Sequence, residues 1–205
     1  PVLVKRGGIS VAVFSFTNLG YHDAYAAPNS PGIARGSLDS IRRSIERFRG
    51  FTDFTVVNIH WGDEYTHYPS DGQIELGRTL IDAGADAVIG HHSHVYQGVE
   101  VYRGKPIVYS IGNFLSGSIN EDIRDNIVVA LDFVDRGLVS LRVFAISGNT
   151  ASHPFQPARL TGKEAGSVLS HVLEISRPLK SDFSGKAVMT DSALVYRFDS
   201  PGEKP

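Results

Sequence analysis

Two short apolar runs that end in histidine constrain this chain more than any other feature: Val56-Val57-Asn58-Ile59-His60-Trp61-Gly62 and Ala87-Val88-Ile89-Gly90-His91-His92-Ser93-His94. Runs of four or five apolar residues are too short for independent helices, so each reads as a buried strand of an α/β sheet. Between them, Ser70-Asp71-Gly72-Gln73 forms a capping box that opens a helix carrying Ile74, Leu80 and Ile81 and stopping at Gly84. Strand, helix, strand returns the chain to the same sheet edge. Ligands and catalytic groups of such sheets collect outside the carboxyl ends of the strands. The spacing therefore predicts that His60 and His92 meet there.

In His92-Ser93-His94 the chain leaves its strand and can turn, so both rings can reach one small volume, whereas in a regular strand they would share a face without converging. Neutral imidazole suits zinc, iron, manganese and related divalent ions, and a second ion about 3.5–4 Å away makes the clamp used in phosphoester hydrolysis. Hydrogen-bonded loop histidines explain the same residues without any ion. Glu64 is placed to orient an imidazole or contact substrate, or to sit solvated in a loop. Asn113, in Gly112-Asn113-Phe114, either points its amide into the site or ends a strand in a turn. Trp61 reads as packing against the following helix. His22 and Asp23 read as a loop tip, and His67, His153 and His171 as surface residues. Ser93 has no oriented third partner for a serine triad.

The remaining pattern supports an α/β unit followed by a more antiparallel portion. Ile9 to Phe16 reads as a strand, followed by a long Asn/Gly/Pro-rich loop to Gly36. Ser37 caps a helix bearing Leu38, Ile41, Ile45 and Phe48 on one face, with Gly50 after it. Hairpins follow over Gln97–Tyr102 with Ile107–Ser110, and over Asn126–Val134 with Leu138–Ile146. Thr161-Gly162-Lys163-Glu164 reads as a second capping box, opening a helix through Val168, Leu169, Val172 and Ile175. A weak strand is expected around Ala193 to Phe198.

The stretches His60-Trp61-Gly62-Asp63-Glu64-Tyr65, Leu80 to His94 and Tyr109-Ser110-Ile111-Gly112-Asn113-Phe114 together resemble the bacterial capsule-synthesis CapA/PgsA family, which is similar to the calcineurin-like metallophosphatases. The resemblance runs from about residue 8 to about residue 160. It implies an α/β (α+β) fold, a sandwich of two mixed sheets flanked by helices, with the N-terminal part missing. Residues 1–178 would be the C-terminal part of that domain, and 179–205 an extension. Carried over, His60 matches the family's single strand-end histidine and His92 and His94 its closing pair, so these three are the implied catalytic and metal-binding residues, with Glu64 and Asn113 as substrate-binding neighbours. His91 falls on the variable position before the pair. The implied cofactors are two divalent ions, Mn, Fe or Zn. The carboxylate motifs that open such proteins are absent here: Asp23, Asp39 and Asp53 do not follow an apolar strand in the expected context.

The resemblance further implies a capsule or poly-γ-glutamate biosynthesis protein acting as a metal-dependent hydrolase on an anionic polymer or phosphoester. The alternative is a non-catalytic assembly or export component that meets capsule-synthesis membrane subunits. An extracytoplasmic, cell-surface location goes with either reading. Composition sets outer limits. A formal net charge of −2 predicts no attraction to nucleic acid. With no cysteine, disulfides and thiolate chemistry are excluded. The longest apolar runs, near Val11–Phe16 and Ile127–Phe133, are far too short to span a bilayer.

Overall fold

Successive side chains of the strand Phe54–His60 enter different cores, which organises the molecule: Val57 and Ile59 point into one apolar cluster and Val56 into another. Both faces of this strand are covered, as an apolar run in a parallel sheet requires. The computed structural model describes residues 1–20, 24–115, 123–135, 137–148, 156–179 and 187–198. His22, Asp23 and His153 lie outside the described residues.

The first sheet contains β1 (Val2–Arg6), β2 (Ile9–Thr17), β3 (Phe54–His60), β4 (Ala87–His91), β5 (Val99–Tyr102) and β6 (Lys105–Val108), in the order β1-β2-β3-β4-β6-β5. Strands β2, β3, β4 and β6 are parallel, and the two outer strands pair antiparallel. Helix α1 (Leu38–Phe48) links β2 to β3, and α2 (Asp71–Asp82) links β3 to β4. Ser37 and Ser70 cap them through their side chains, and Gln73 completes the box at Ser70. Ile41 and Ile45 of α1 and Leu80 and Ile81 of α2 pack on Val57, Ile59, Val88 and Ile107. Each such side chain contributes about 1.5–3 kcal/mol when fully buried.

The second sheet is antiparallel throughout its described pairings: β10 (Ala187–Met189), β11 (Leu194–Arg197), β8 (Gly137–Ser147) and β7 (Asp125–Val134), with β9 (Ala158–Arg159) beside β8. Its Ile127, Leu141, Val143 and Ala145 share one core with Val56, Ala87, Ile89 and Val108 of the first sheet. The fold is thus an α/β sandwich of one mixed and one antiparallel sheet. Helix α3 (Gly162–Ser176) enters the same core through Ala165, Val168, Leu169, Val172 and Ile175. Its start agrees with the sequence signal at Thr161, but that side chain makes no capping hydrogen bond. Residues 187–198 add β10 and β11 to the second sheet, and Leu194, Tyr196 and Phe198 lie in the shared core. No helix among the described residues is long and apolar enough to cross a membrane.

Candidate functional site

The parallel register aligns Thr17 with His60 and His60 with His91, so β2, β3 and β4 end together along one edge. Beneath that edge Trp61 is fully buried, stacks on Tyr109 at 5.8 Å and donates its indole N–H to the Tyr109 carbonyl at 2.8 Å. Gly90 makes this bond possible, because a Cβ there would lie 1.9 Å from that carbonyl oxygen and 2.4 Å from the indole nitrogen. Trp61 is therefore a packing residue. It fixes the point from which both histidine-bearing segments leave the sheet.

His60 and His92 converge at that edge: His92 Nδ1 lies 3.0 Å from His60 Nε2, with ring centroids 4.7 Å apart. His94 stands further off, its centroid 6.2 Å from that of His92. Its Nδ1 meets Asn113 Oδ1 at 3.0 Å, while Asn113 Nδ2 donates to the His94 carbonyl at 3.2 Å. On the other side, Glu64 Oε1 lies 3.7 Å from His94 Nε2, and Tyr65 stacks on the ring with centroids 5.5 Å apart. Asn113 and Glu64, expected to contact substrate, thus both touch His94. His91 is more deeply set than His60 and makes none of these contacts; burial, then the adjacent His60, holds its pKa below the ordinary histidine value. Burial does the same for His60, reinforced by His92 and then His94. Both conditions favour neutral imidazole, the form that donates a lone pair.

Backbone strain collects at the same place. Of five non-glycine residues with positive φ among the described residues, three are Tyr65 (59°), His92 (106°) and His94 (60°). The other two, Arg103 and Asp135, follow β5 and β7 directly, in the turns of the two hairpins. Such conformations cost of order 1–3 kcal/mol each and persist where the surroundings impose them. Here the Tyr65 N–H donates to the Ser93 carbonyl at 2.7 Å, tying the two loops together. Support also comes from the second sheet. Asn126, fully buried at the start of β7, accepts the Asn113 N–H at 2.8 Å and donates to the carbonyls of Ile123 and Arg124. Gly112, at φ 72°, admits this contact, since a Cβ there would lie 2.0 Å from Asn126 Oδ1.

A cleft of about 750 Å³ opens beside the pair, walled by Phe16, Leu19 and Ile33 on one side and by His60, Glu64 and His92 on the other. Among the described residues lining it there is no lysine or arginine.

The donor set fits a divalent ion in part. Two nitrogens 3.0 Å apart are near the spacing of about 3.3 Å that adjacent ligands adopt around a tetrahedral ion with bonds near 2.0–2.1 Å. Yet no group of three or more metal-ligating side chains lies close enough to hold an ion among the described residues. His94 is turned toward Asn113 and Glu64.

His67 and His171, read from sequence as surface residues, are half-buried and belong to a second imidazole pair. His67 Nδ1 meets the Tyr96 carbonyl at 2.7 Å, His171 Nδ1 meets the Tyr96 hydroxyl at 2.8 Å, and the two rings are 4.8 Å apart. Gln97 was also missed. Fully buried, it accepts from Gln73 at 3.0 Å and donates to the Thr66 carbonyl at 3.0 Å. Its place right after the His-Ser-His loop was the only sequence clue.

An α/β sandwich with imidazoles at the carboxyl ends of parallel strands is the framework that the sequence motifs called for. The family profile of the bacterial capsule synthesis protein PGA_cap matches residues 1–118, and the chain belongs to that family. Among curated relatives, the PGA biosynthesis protein CapA of Bacillus subtilis is 34% identical over 148 residues, covering 72% of this chain and 39% of its own length. The capsule biosynthesis protein CapA of Bacillus anthracis is 36% identical over 141 residues, covering 62% of this chain and 34% of its own length. A probable polyglutamine synthesis accessory protein of Mycobacterium tuberculosis is 31% identical over 102 residues, 46% of this chain and 27% of that protein. The chain thus spans between about a quarter and two fifths of the length of these three relatives.

Proposed function

We propose that this chain carries the histidine half of a divalent-metal centre in a capsule or polyglutamate synthesis protein, and that the complete centre hydrolyses a phosphoester or an anionic polymer. The observation that carries the reading is the approach of His60 Nε2 and His92 Nδ1 to 3.0 Å at the ends of two parallel strands beside a cleft. In this reading both rings turn lone pairs on one ion, Asn113 fixes the tautomer of His94 by accepting its Nδ1–H, and Glu64 holds the opposite face of that ring. Bound divalent ions would supply a water acidified toward neutrality as the nucleophile. The walls of the cleft offer an anion no cationic side chain among the described residues, so an anionic substrate would depend on those ions for its counter-charge. Carboxylates outside residues 1–205 would complete the coordination.

The contrary reading, a non-catalytic assembly component at the cell surface, draws support from the lack of a three-ligand group among the described residues and from the accessory role in the name of the mycobacterial relative. One experiment separates the two. Metal content and phosphodiesterase activity are measured on the full-length protein and on its His92→Ala, His94→Ala double variant. Loss of both metal and activity, with the fold largely intact, is the expected result. Full metal content in the double variant would remove the centre from these residues, and capsule loss without any hydrolysis would favour assembly.

A further inference from the structure

The His67–Tyr96–His171 cluster joins the segments that shape the first site. His67 lies on the β3–α2 loop three residues beyond Glu64 and two beyond Tyr65, both of which touch His94. Tyr96 lies two residues after His94 on the β4–β5 connection, and His171 lies on α3. The cluster also ties its loop to α3: Tyr96 offers its carbonyl to one ring and its hydroxyl to the other.

We propose that His67 and His171 form a proton-sensitive clamp that positions the loop bearing Glu64 and Tyr65 against His94, and that acidification releases this loop. The clamp requires the two rings 4.8 Å apart not to be charged together, because two half-buried cations at that distance repel with little screening. The groups facing His67 are Tyr96 from the β4–β5 connection and His171 from α3; Asp125, at the start of β7, acts on Tyr96. Burial holds the His67 pKa below its ordinary value of 6.5, against the opposing hydrogen bond to the Tyr96 carbonyl and with the help of His171. Tyr96, pushed up to about 12 by burial and then by Asp125, stays protonated and keeps its hydroxyl in place throughout.

The sign follows. In the clamped state His67 binds its proton less readily than when released, so the clamp is whole above pH 6.5 and weakens as pH falls below that value. His67 is a positioning residue: it acts on His94 only through Glu64 and Tyr65. The inference does not rest on bound metal and is tested without it.

Hydrogen exchange of the Tyr65 amide, which donates to Ser93, reads the loop directly, with the Ile59 amide inside β3 as the control. On the metal-free chain, Tyr65 protection corrected for intrinsic exchange should fall severalfold between pH 7.5 and 5, while Ile59 stays protected. His67→Asn keeps a donor for the Tyr96 carbonyl and cannot titrate, so its protection should remain high at both pH values; His171→Asn should behave likewise. His67→Ala should leave Tyr65 poorly protected at both. A wild-type profile flat from pH 7.5 to 5, a parallel loss at Ile59, or an undiminished pH response in both Asn variants would overturn the clamp.

Discussion

His60 Nε2 and His92 Nδ1 share one hydrogen-bond distance, 3.0 Å, although 32 positions separate them in the chain. Only one proton fits between them, so the pair resists a second positive charge. Removing His92 takes away the second-largest cause of the depressed His60 pKa and leaves burial in place. In His92→Ala the His60 titration, followed by NMR of the ring protons, should therefore move upward without passing 6.5. Because neutral His60 is favoured in the folded state, its contribution is complete above pH 6.5 and lost as pH falls below it.

Zinc or manganese added to residues 1–205 alone should bind weakly, with a stoichiometry no greater than one and with loss of binding in His60→Ala. Two or three imidazoles leave coordination positions open and charge poorly neutralised. Isothermal titration checks this. Tight uptake of two ions by this chain would show that the ligand set has been misplaced.

Asn126 and Asn113 look alike in sequence and should differ sharply in stability. Replacing Asn126 with Ala strands the Asn113 N–H and the Ile123 carbonyl, while the Arg124 carbonyl keeps the Gly148 N–H, at a cost of about 2–3 kcal/mol. Asn113→Ala frees a partly exposed ring and should cost under about 1 kcal/mol. Urea unfolding of the two variants at neutral pH gives the comparison.

Gly90→Ala should destabilise by about 3 kcal/mol or more, since the added methyl meets backbone at 1.9 Å and the Trp61–Tyr109 bond must break to admit it. Near-ultraviolet circular dichroism reports the same event, because Trp61 is the only tryptophan in the chain.

Glu100, fully buried, accepts from Arg78 at 2.9 Å and from the Tyr109 hydroxyl at 2.5 Å. Arg78→Met leaves this carboxylate without its counter-charge and should cost about 3–5 kcal/mol, whereas Tyr109→Phe removes one charged hydrogen bond and should cost about 1.5–3 kcal/mol. Thermal melts that rank the two in the opposite order would show that Arg78, with its partly exposed guanidinium, adds little.

The βαβ connection around Ser70 was legible because each of its parts is local: a capping box, a helical apolar stripe and two short apolar runs. The convergence of His60 and His92 followed from connectivity alone. Strand β1 was not anticipated, although Gly7-Gly8 between Arg6 and Ile9 is a hairpin signal, because its five residues are all exposed and bury no face to betray them. The capping bond at Thr161 failed for the opposite reason: the motif was present and the side chain did not use it. His67, Tyr96 and His171 could not be joined on paper. Their contacts cross from a loop to a helix of the second half of the chain, and no periodicity encodes them.

The positive φ angles of Tyr65, His92 and His94 have a consequence for how such a protein changes over generations and in the laboratory. Glycine is the residue that these three backbone positions prefer, and each replacement would relieve local strain. A screen that rewards heat resistance alone would therefore accumulate glycines here and erase two imidazoles and the tyrosine stacked on one of them. Sequences recovered from such a screen would be sturdier and blank at the carboxyl edge of the sheet. The retention of bulky rings at these angles in a selected library would mark the pressure that maintains the site.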